Sequence, residues 1–385
     1  MSLLLLCLPS SAAPAGGDPQ TQLEKWLVEK LNVPESSVHP FNLPNFKIGT
    51  LDSLIQHSEE LAKIDGQFQS IATKAGEILA AVYEGNSSQL SQARKVDGSK
   101  TPEEYFESFS WNTSKYRLDK SISDLVELVS REAFALDSDV RNSYNEYQAA
   151  KSNLSAVDRR QTGNLSVRSL HDVVRGEHFV QNSEYLRTVL IAVPTPQKKE
   201  YLSTYETLVP MVVPRSASVV AEDQEYTLFN TTVFAKYVSE FVSKAREHKW
   251  TPREFNYSPE LVADMRKEQQ VAVQNERRLW AEVVRLARTA HGDIIKAWAH
   301  LKAIRVFVES VLRYGLPPNF LTAVIRAPKN VSKAEDILIE KFGYLGGSAF
   351  SKDKRGKLKG DSDLSEYGAL VDLDYKPFVL YQLEL

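Results

Sequence analysis

The sequence is short of the residues on which most catalytic chemistry depends. It has a single cysteine, Cys7, which excludes an intrachain disulfide and any cysteine-based zinc site and fits a reducing compartment. Seven histidines occur, none in an HExxH pattern and none clustered with carboxylates at ligand spacing, so no metal site is expected. There is no G-x-S-x-G elbow, and the only glycine cluster, Gly343 to Gly347, lacks the G-K-[ST] needed to cradle phosphates. That cluster is expected to cap a helix and make a tight turn. A net charge of −3 gives no global attraction to nucleic acid or to an acidic membrane surface. No apolar run approaches the length that spans a bilayer. Leu3 to Leu8 has no preceding Lys or Arg and is shorter than a secretory h-region, so a buried first strand is expected there.

What is present is long helical periodicity. From Ser258 to Arg313 there is no proline after Pro259 and one glycine, Gly292; unbroken, this helix would run roughly 84 Å. From Leu279 onward its apolar residues recur in steps of three and four to Val311, which predicts one packed face. Asp119 to Asp158 repeats the spacing through Ile122, Leu125, Val129, Ala133, Leu136, Val140, Tyr144 and Tyr147, and is its expected antiparallel mate. Residues 266–278 and 141–160 are poor in aliphatics, as suits a thin, solvent-washed stretch.

Shorter elements surround these two. Thr21 to Leu31 and Leu51 to Tyr83 read as helices, and Asn86 to Lys100 as an exposed loop. Between the long helices, strands are expected at Leu186 to Val193, Val212 to Ala221, Tyr226 to Thr231 and Trp250 to Phe255. Helices at Gln197 to Leu208 and Thr232 to His248 complete a β-α-β-β-α-β, ferredoxin-like order. After Gly315-Leu-Pro-Pro come a strand at Leu321 to Ala327, a helix at Lys333 to Phe342 and a closing strand at Phe378 to Leu383. The expected fold is α+β: an elongated dumbbell of two α/β globules joined by a long antiparallel helical neck. Residues 1–140 plus 279–385 form the foot, 141–160 plus 258–278 the neck, and 161–257 the head.

Candidate chemistry is sparse. His171-Asp172 and His291-x-Asp293 could serve as general-base pairs, but solvated or helix-capping histidines are the simpler reading. Lys352, Lys354, Arg355, Lys357 and Lys359 make a basic loop that could meet phosphates, an acidic protein or anionic lipid, but a solvated hairpin tip is the simpler reading. No aromatics interleave it, which argues against a single-stranded nucleic-acid platform. Arg305, Glu309 and Arg313, four apart on one helix face, suit a structural ion-pair network. Long amphipathic helices between two globules suit a tether or stator better than an enzyme.

Long stretches of the chain resemble the C subunit of the vacuolar-type proton-translocating ATPase, most closely its fungal members. They include FKIGTLDSLI (46–55), YRLDKSISDL (116–125), TGNLSVRSLHDVV (162–174), PRSASVVAEDQEYTLFN (214–230), RVFVESVLRYGLPPNF (305–320) and FGYLGGSAFSKDKRGK (342–357). The resemblance implies a non-catalytic stator subunit without cofactor, on the cytosolic face of the vacuolar membrane. Its head would hold an E–G heterodimer stalk, and its foot a second stalk and the N-terminal domain of the membrane-sector a subunit. Release during reversible disassembly, and in some members binding to actin filaments, are further implications; an actin-binding or scaffold protein outside the ATPase is the alternative. Stalk contact is expected at Arg168, His171, Asp172, Glu222, Asp223 and Glu225 in the head, and foot contact at Lys352, Lys354, Arg355 and Lys357.

Overall fold

The structure is a computed structural model that describes residues 2–14, 16–181, 183–255, 257, 259–327, 331–350 and 376–385. It is α+β, and the chain forms two compact units: Met1–Tyr144 with Val283–Leu385, and Asn145–Glu282.

The first unit is built on β1 (Ser2–Pro9), whose residues Leu3 to Leu8 are all buried. Such a run, apolar at every position, belongs to a strand covered on both faces. β1 pairs antiparallel with β7 (Phe320–Arg326) on one side and with β8 (Val379–Glu384) on the other. The short β2 (Val38–Pro40) adds to β7, giving the order β2-β7-β1-β8. Alternation then sorts the side chains. Leu4, Leu6 and Leu8 pack with α1 (Pro19–Leu31) and α9 (Val331–Phe342), while Leu3, Leu5 and Cys7 face a large helical core. α1 starts on an Asp18 cap with Pro19 at its first position and stops at Asn32, whose φ of 51° is left-handed.

The helical core draws on α2 (Leu51–Val82), α5 (Ile122–Thr162) and α8 (Pro259–Tyr314), with the short α4 (Pro102–Glu107) beside them. The sequence predicted one apolar face on α8. Instead, between Ile294 and Val308 every residue except Lys296 and Arg305 is buried, including His300 and Lys302. The reason is that α8 is enclosed: Ser310 Oγ lies 2.9 Å from Cys7 Sγ on the sheet, Asn112 N donates to His300 Nε2, and Trp298 and Lys302 reach α2. Gly315, with φ +77°, ends the helix by donating to the Val311 carbonyl.

A carboxylate fixes α2 against α8. Asp65, 5% exposed, accepts from Trp298 Nε1 at 2.8 Å and Lys302 Nζ at 2.6 Å, and also pairs with Arg305. Both cations stand over the Tyr381 ring on β8, at 4.9 Å for Lys302 Nζ and 4.4 Å for Arg305 Cζ. Burial pushes the Lys302 ammonium below its ordinary value against the attraction of Asp65. Of the residues expected to pair along one face of α8, Arg305 pairs with Asp65, Glu309 accepts from Ser58, and Arg313 donates to the Lys376 carbonyl.

Asn86 to Lys100 is not simply a loop. Asn86 caps α3 (Ser87–Ala93), and Ala93 and Val96 are buried against the core. The Gly343–Phe350 segment continues past α9 as a 3-10 helix rather than a tight turn.

The second unit holds β3 (Leu186–Pro194), α6 (Lys198–Thr204), β4 (Ser218–Glu222), β5 (Tyr226–Phe234), α7 (Val238–Glu247) and β6 (Thr251–Arg253). Its antiparallel sheet has the order β4-β5-β3-β6, that of a split βαβ unit. The first unit's sheet follows the same scheme once β1-α1-β2 and β7-α9-β8 are taken together. β4 starts six residues later than its sequence suggested, because Pro214 lacks an N–H and Arg215 turns at φ 56°; Val212 makes only an isolated bridge to Val233. β5 runs on to Phe234, so the following helix begins at Val238 rather than Thr232.

Two histidines of the first unit give its stability a pH signature. Burial, with Arg94 nearby, lowers the His291 pKa to about 4, and burial lowers that of His300 to about 4. Because these folded values lie below the unfolded one of about 6.5, the folded state binds fewer protons. Their contribution is complete above about pH 6.5 and is lost as pH falls toward 4. Urea unfolding followed at pH 7 and pH 5 should show a loss on the order of 2 kcal/mol per histidine, and His291→Gln should flatten that fall.

Candidate interaction site

One face of the second unit's sheet is covered by helices: Val189, Ile191 and Phe229 pack with Tyr201 of α6 and Phe241 of α7. The other face is covered by irregular chain, residues 163–181. Leu165, Leu170 and Val174 seal Leu190, Ala192 and Leu228 from water. Irregular chain over a sheet must find partners for its backbone groups, and here side chains of the sheet supply them.

The β4–β5 hairpin is closed by Asp223. Its Oδ1 accepts from Glu225 N at 2.9 Å and Tyr226 N at 2.6 Å, while Oδ2 accepts from Leu165 N at 2.7 Å. Burial alone would raise the Asp223 pKa; the donors Tyr226, Leu165 and Glu225, together with Arg168, hold it below the ordinary range instead. Glu225 accepts from Asn164 Nδ2 at 2.6 Å, and Glu222 pairs with Lys198 at 2.7 Å, a bond that lowers the Glu222 pKa. From β6, Arg253 donates to the carbonyls of Arg168 at 2.6 Å and Leu165 at 3.3 Å.

The two head motifs, more than fifty residues apart in sequence, therefore meet. Asn164 and Leu165 attach the 163–172 segment to Asp223 and Glu225, with Arg168 close enough to influence Asp223. Arg168 is half-buried, and its Nε is out of water without a hydrogen-bond partner among the described residues. Beside it, Val167 is 73% exposed. His171 is not solvated: it is buried, with Nδ1 2.7 Å from Ser169 Oγ and Nε2 3.2 Å from the half-exposed Asp172 carboxylate. His291 is buried as well, and Asp293 pairs with Lys296 at 2.6 Å rather than with an imidazole. Lys352, Lys354, Arg355 and Lys357 lie outside the described residues.

Sequence reasoning missed the residues that do the holding: Asn164, Lys198 and Arg253. Asn164 carried a signal, since a Gly-Asn pair after a helix marks a turn, but the partner of its side chain is set by tertiary packing alone. Among the described residues no His, Cys, Asp and Glu cluster could hold a metal ion, and no helix is long and apolar enough to cross a membrane. The arrangement is a polar rim held by hydrogen bonds between the 163–172 segment and the β4–β5 hairpin, with Val167 exposed beside it.

The chain is thus a helix-rich α+β protein with two split βαβ sheets. The chain matches the family of V-ATPase C subunits over residues 3–379 and belongs to it. It is 49% identical to the V-type proton ATPase C subunit of Saccharomyces cerevisiae over 99% of this chain and 97% of that one. Identity is 34% to the C 1-A subunit of the V-type proton ATPase of Danio rerio (91% and 90%) and 34% to the C 1 subunit of Rattus norvegicus (89% and 88%). A solved cytoplasmic N-terminal domain of an I subunit, a homologue of the V-ATPase a subunit, gives a TM-score of 0.28 at 13% identity over 89% of this chain and 97% of that one. So slight a likeness carries no statement about fold or partner. The chain is thus a non-catalytic subunit of a V-type proton ATPase.

Asp223→Ala should release the start of the covering segment while leaving the sheet intact. Hydrogen exchange at Leu165 to Leu170 is expected to speed up roughly tenfold or more, the size of one lost charge-assisted bond. Glu222→Ala, which breaks only an exposed pair, should leave those amides unchanged.

Proposed function

We propose that the chain is a stator subunit of the vacuolar proton pump, on the cytosolic face of the vacuolar membrane, bridging peripheral stalks and the membrane-sector a subunit. The observation that carries this reading is the match to the family of V-ATPase C subunits along nearly the whole chain. Within it, residues 1–140 plus 279–385 act as the foot, 141–160 plus 258–278 as the neck and 161–257 as the head.

The head binds an E–G heterodimer stalk through the rim formed by Arg168, Asp172, Glu222 and Glu225, with Val167 as an apolar contact. His171 and Asp223 act from behind, holding the rim residues in place. Support comes from the placement of half-buried Arg168 beside the 73%-exposed Val167 on the segment tied to the β4–β5 hairpin; a carboxylate on a docked stalk would pair with the accessible part of that guanidinium. In the foot, Lys352, Lys354, Arg355 and Lys357 contact the N-terminal domain of the a subunit. Contacts between charged side chains weaken with salt and permit release when the ATPase sectors separate. Actin filaments, which some family members bind, are a further partner under this reading.

Binding of the full chain to purified E–G heterodimer at low salt tests the head interface. Arg168→Glu and Asp172→Lys should each weaken it by about tenfold or more, with the sheet still folded by circular dichroism. Unaltered affinity in both variants would remove these residues from the interface.

A further inference from the structure

Away from the rim, the first unit contains a cleft of about 570 Å³, within the size range of small-molecule sites. Its floor is apolar: Ala72 and Gly76 of α2, Leu90 of α3, and Ile295 and Trp298 of α8. Gly76 keeps that floor low. A Cβ there would reach to 3.7 Å from Arg94 Nη2 and 3.9 Å from His291 Nε2, so it would fit but would begin to fill the space.

The rim of the cleft is acidic. Glu77, Glu103 and Glu384 come from three different elements, against one cation, Arg94. Arg94 is directed inward and donates to the Gly76 carbonyl at 3.4 Å. His291 adds no positive charge, because burial and Arg94 keep it neutral at physiological pH. It is 5% exposed, lines the cleft, and its Nδ1 has no hydrogen-bond partner among the described residues. Its Nε2 lies near the cleft floor, 3.9 Å from where a Cβ on Gly76 would stand, so the imidazole contributes a neutral polar edge to the cleft. None of these residues takes part in the polar rim of the second unit, and the cleft wall formed by α3 lies in the segment whose sequence suggested only a loop.

We propose that this cleft binds a small amphipathic organic cation, an amine with an aromatic or aliphatic body. The body would rest on Leu90, Ile295 and Trp298, and the ammonium would sit among Glu77, Glu103 and Glu384. An anionic ligand of the same shape would meet three carboxylates and be excluded.

Titration calorimetry on the full chain with 2-phenylethylammonium, its neutral isostere 2-phenylethanol and the anion 3-phenylpropionate tests this directly. The cation should bind about tenfold more tightly than the alcohol, and the anion should give no heat. Ser91→Trp, at an exposed position on the cleft wall, should abolish binding of the cation and of the alcohol without lowering the unfolding temperature. Glu77→Gln with Glu103→Gln should remove the preference of cation over alcohol while retaining the alcohol. Three results would overturn the proposal: no binding of the cation, an anion that binds as well as the cation, or cation binding that survives Ser91→Trp.

Discussion

Asp65 is the constraint on which the first unit depends. A carboxylate, an ammonium and a guanidinium are held where only Arg305 keeps partial access to water, and the indole of Trp298 and the ring of Tyr381 complete the enclosure. Burying such a group gains little net stability over an apolar packing of the same volume. What it gains is position. Removing the carboxylate would strand two cations, at a cost of about 3–5 kcal/mol, so any slip of α2 along α8 is penalised on that scale. The sheet, α4 and α5 then pack against helices whose register is already set.

A single aspartate also organises the second unit, by a different mechanism. Asp223 bonds to backbone N–H groups, with Arg168 nearby, and its three bonds join a hairpin to the segment that covers the sheet. Both faces of that sheet are thereby occupied, one by α6 and α7 and the other by chain without regular structure. The charges at this edge are held by side chains of neighbouring elements, Glu225 by Asn164 and Glu222 by Lys198.

Much of the fold could be read from spacing. The three-and-four periodicity of α8 and α5, the apolar β1, and the break at Gly315 are local signals, and local physics fixed them. The all-round burial of α8 from Ile294 to Val308 was illegible, since Ala297, Ala299 and Ala303 are as common on exposed helix faces as on buried ones. The partnership of Asp65 with Arg305 spans 240 positions, and no pattern on either helix announces it. For the same reason the first unit's sheet was missed as a split βαβ arrangement: its two halves are separated by everything from α2 to α8. At the rim, the charged motifs were visible as motifs, but which of their members face outward and which hold the backbone was decided by Asn164, Leu165 and Arg253.

These two pinned units belong to one subunit of a V-type proton ATPase, in which we take the chain to act as a brace. The most direct measurement uses Saccharomyces cerevisiae vacuoles, because the yeast C subunit shares 49% identity with this chain. In a strain lacking its own C subunit and supplied with this chain, ATP-driven acidification should return, and the chain should be recovered with the assembled ATPase. Folded chain that is present in the cell, absent from the complex and without effect on acidification would contradict a bracing role.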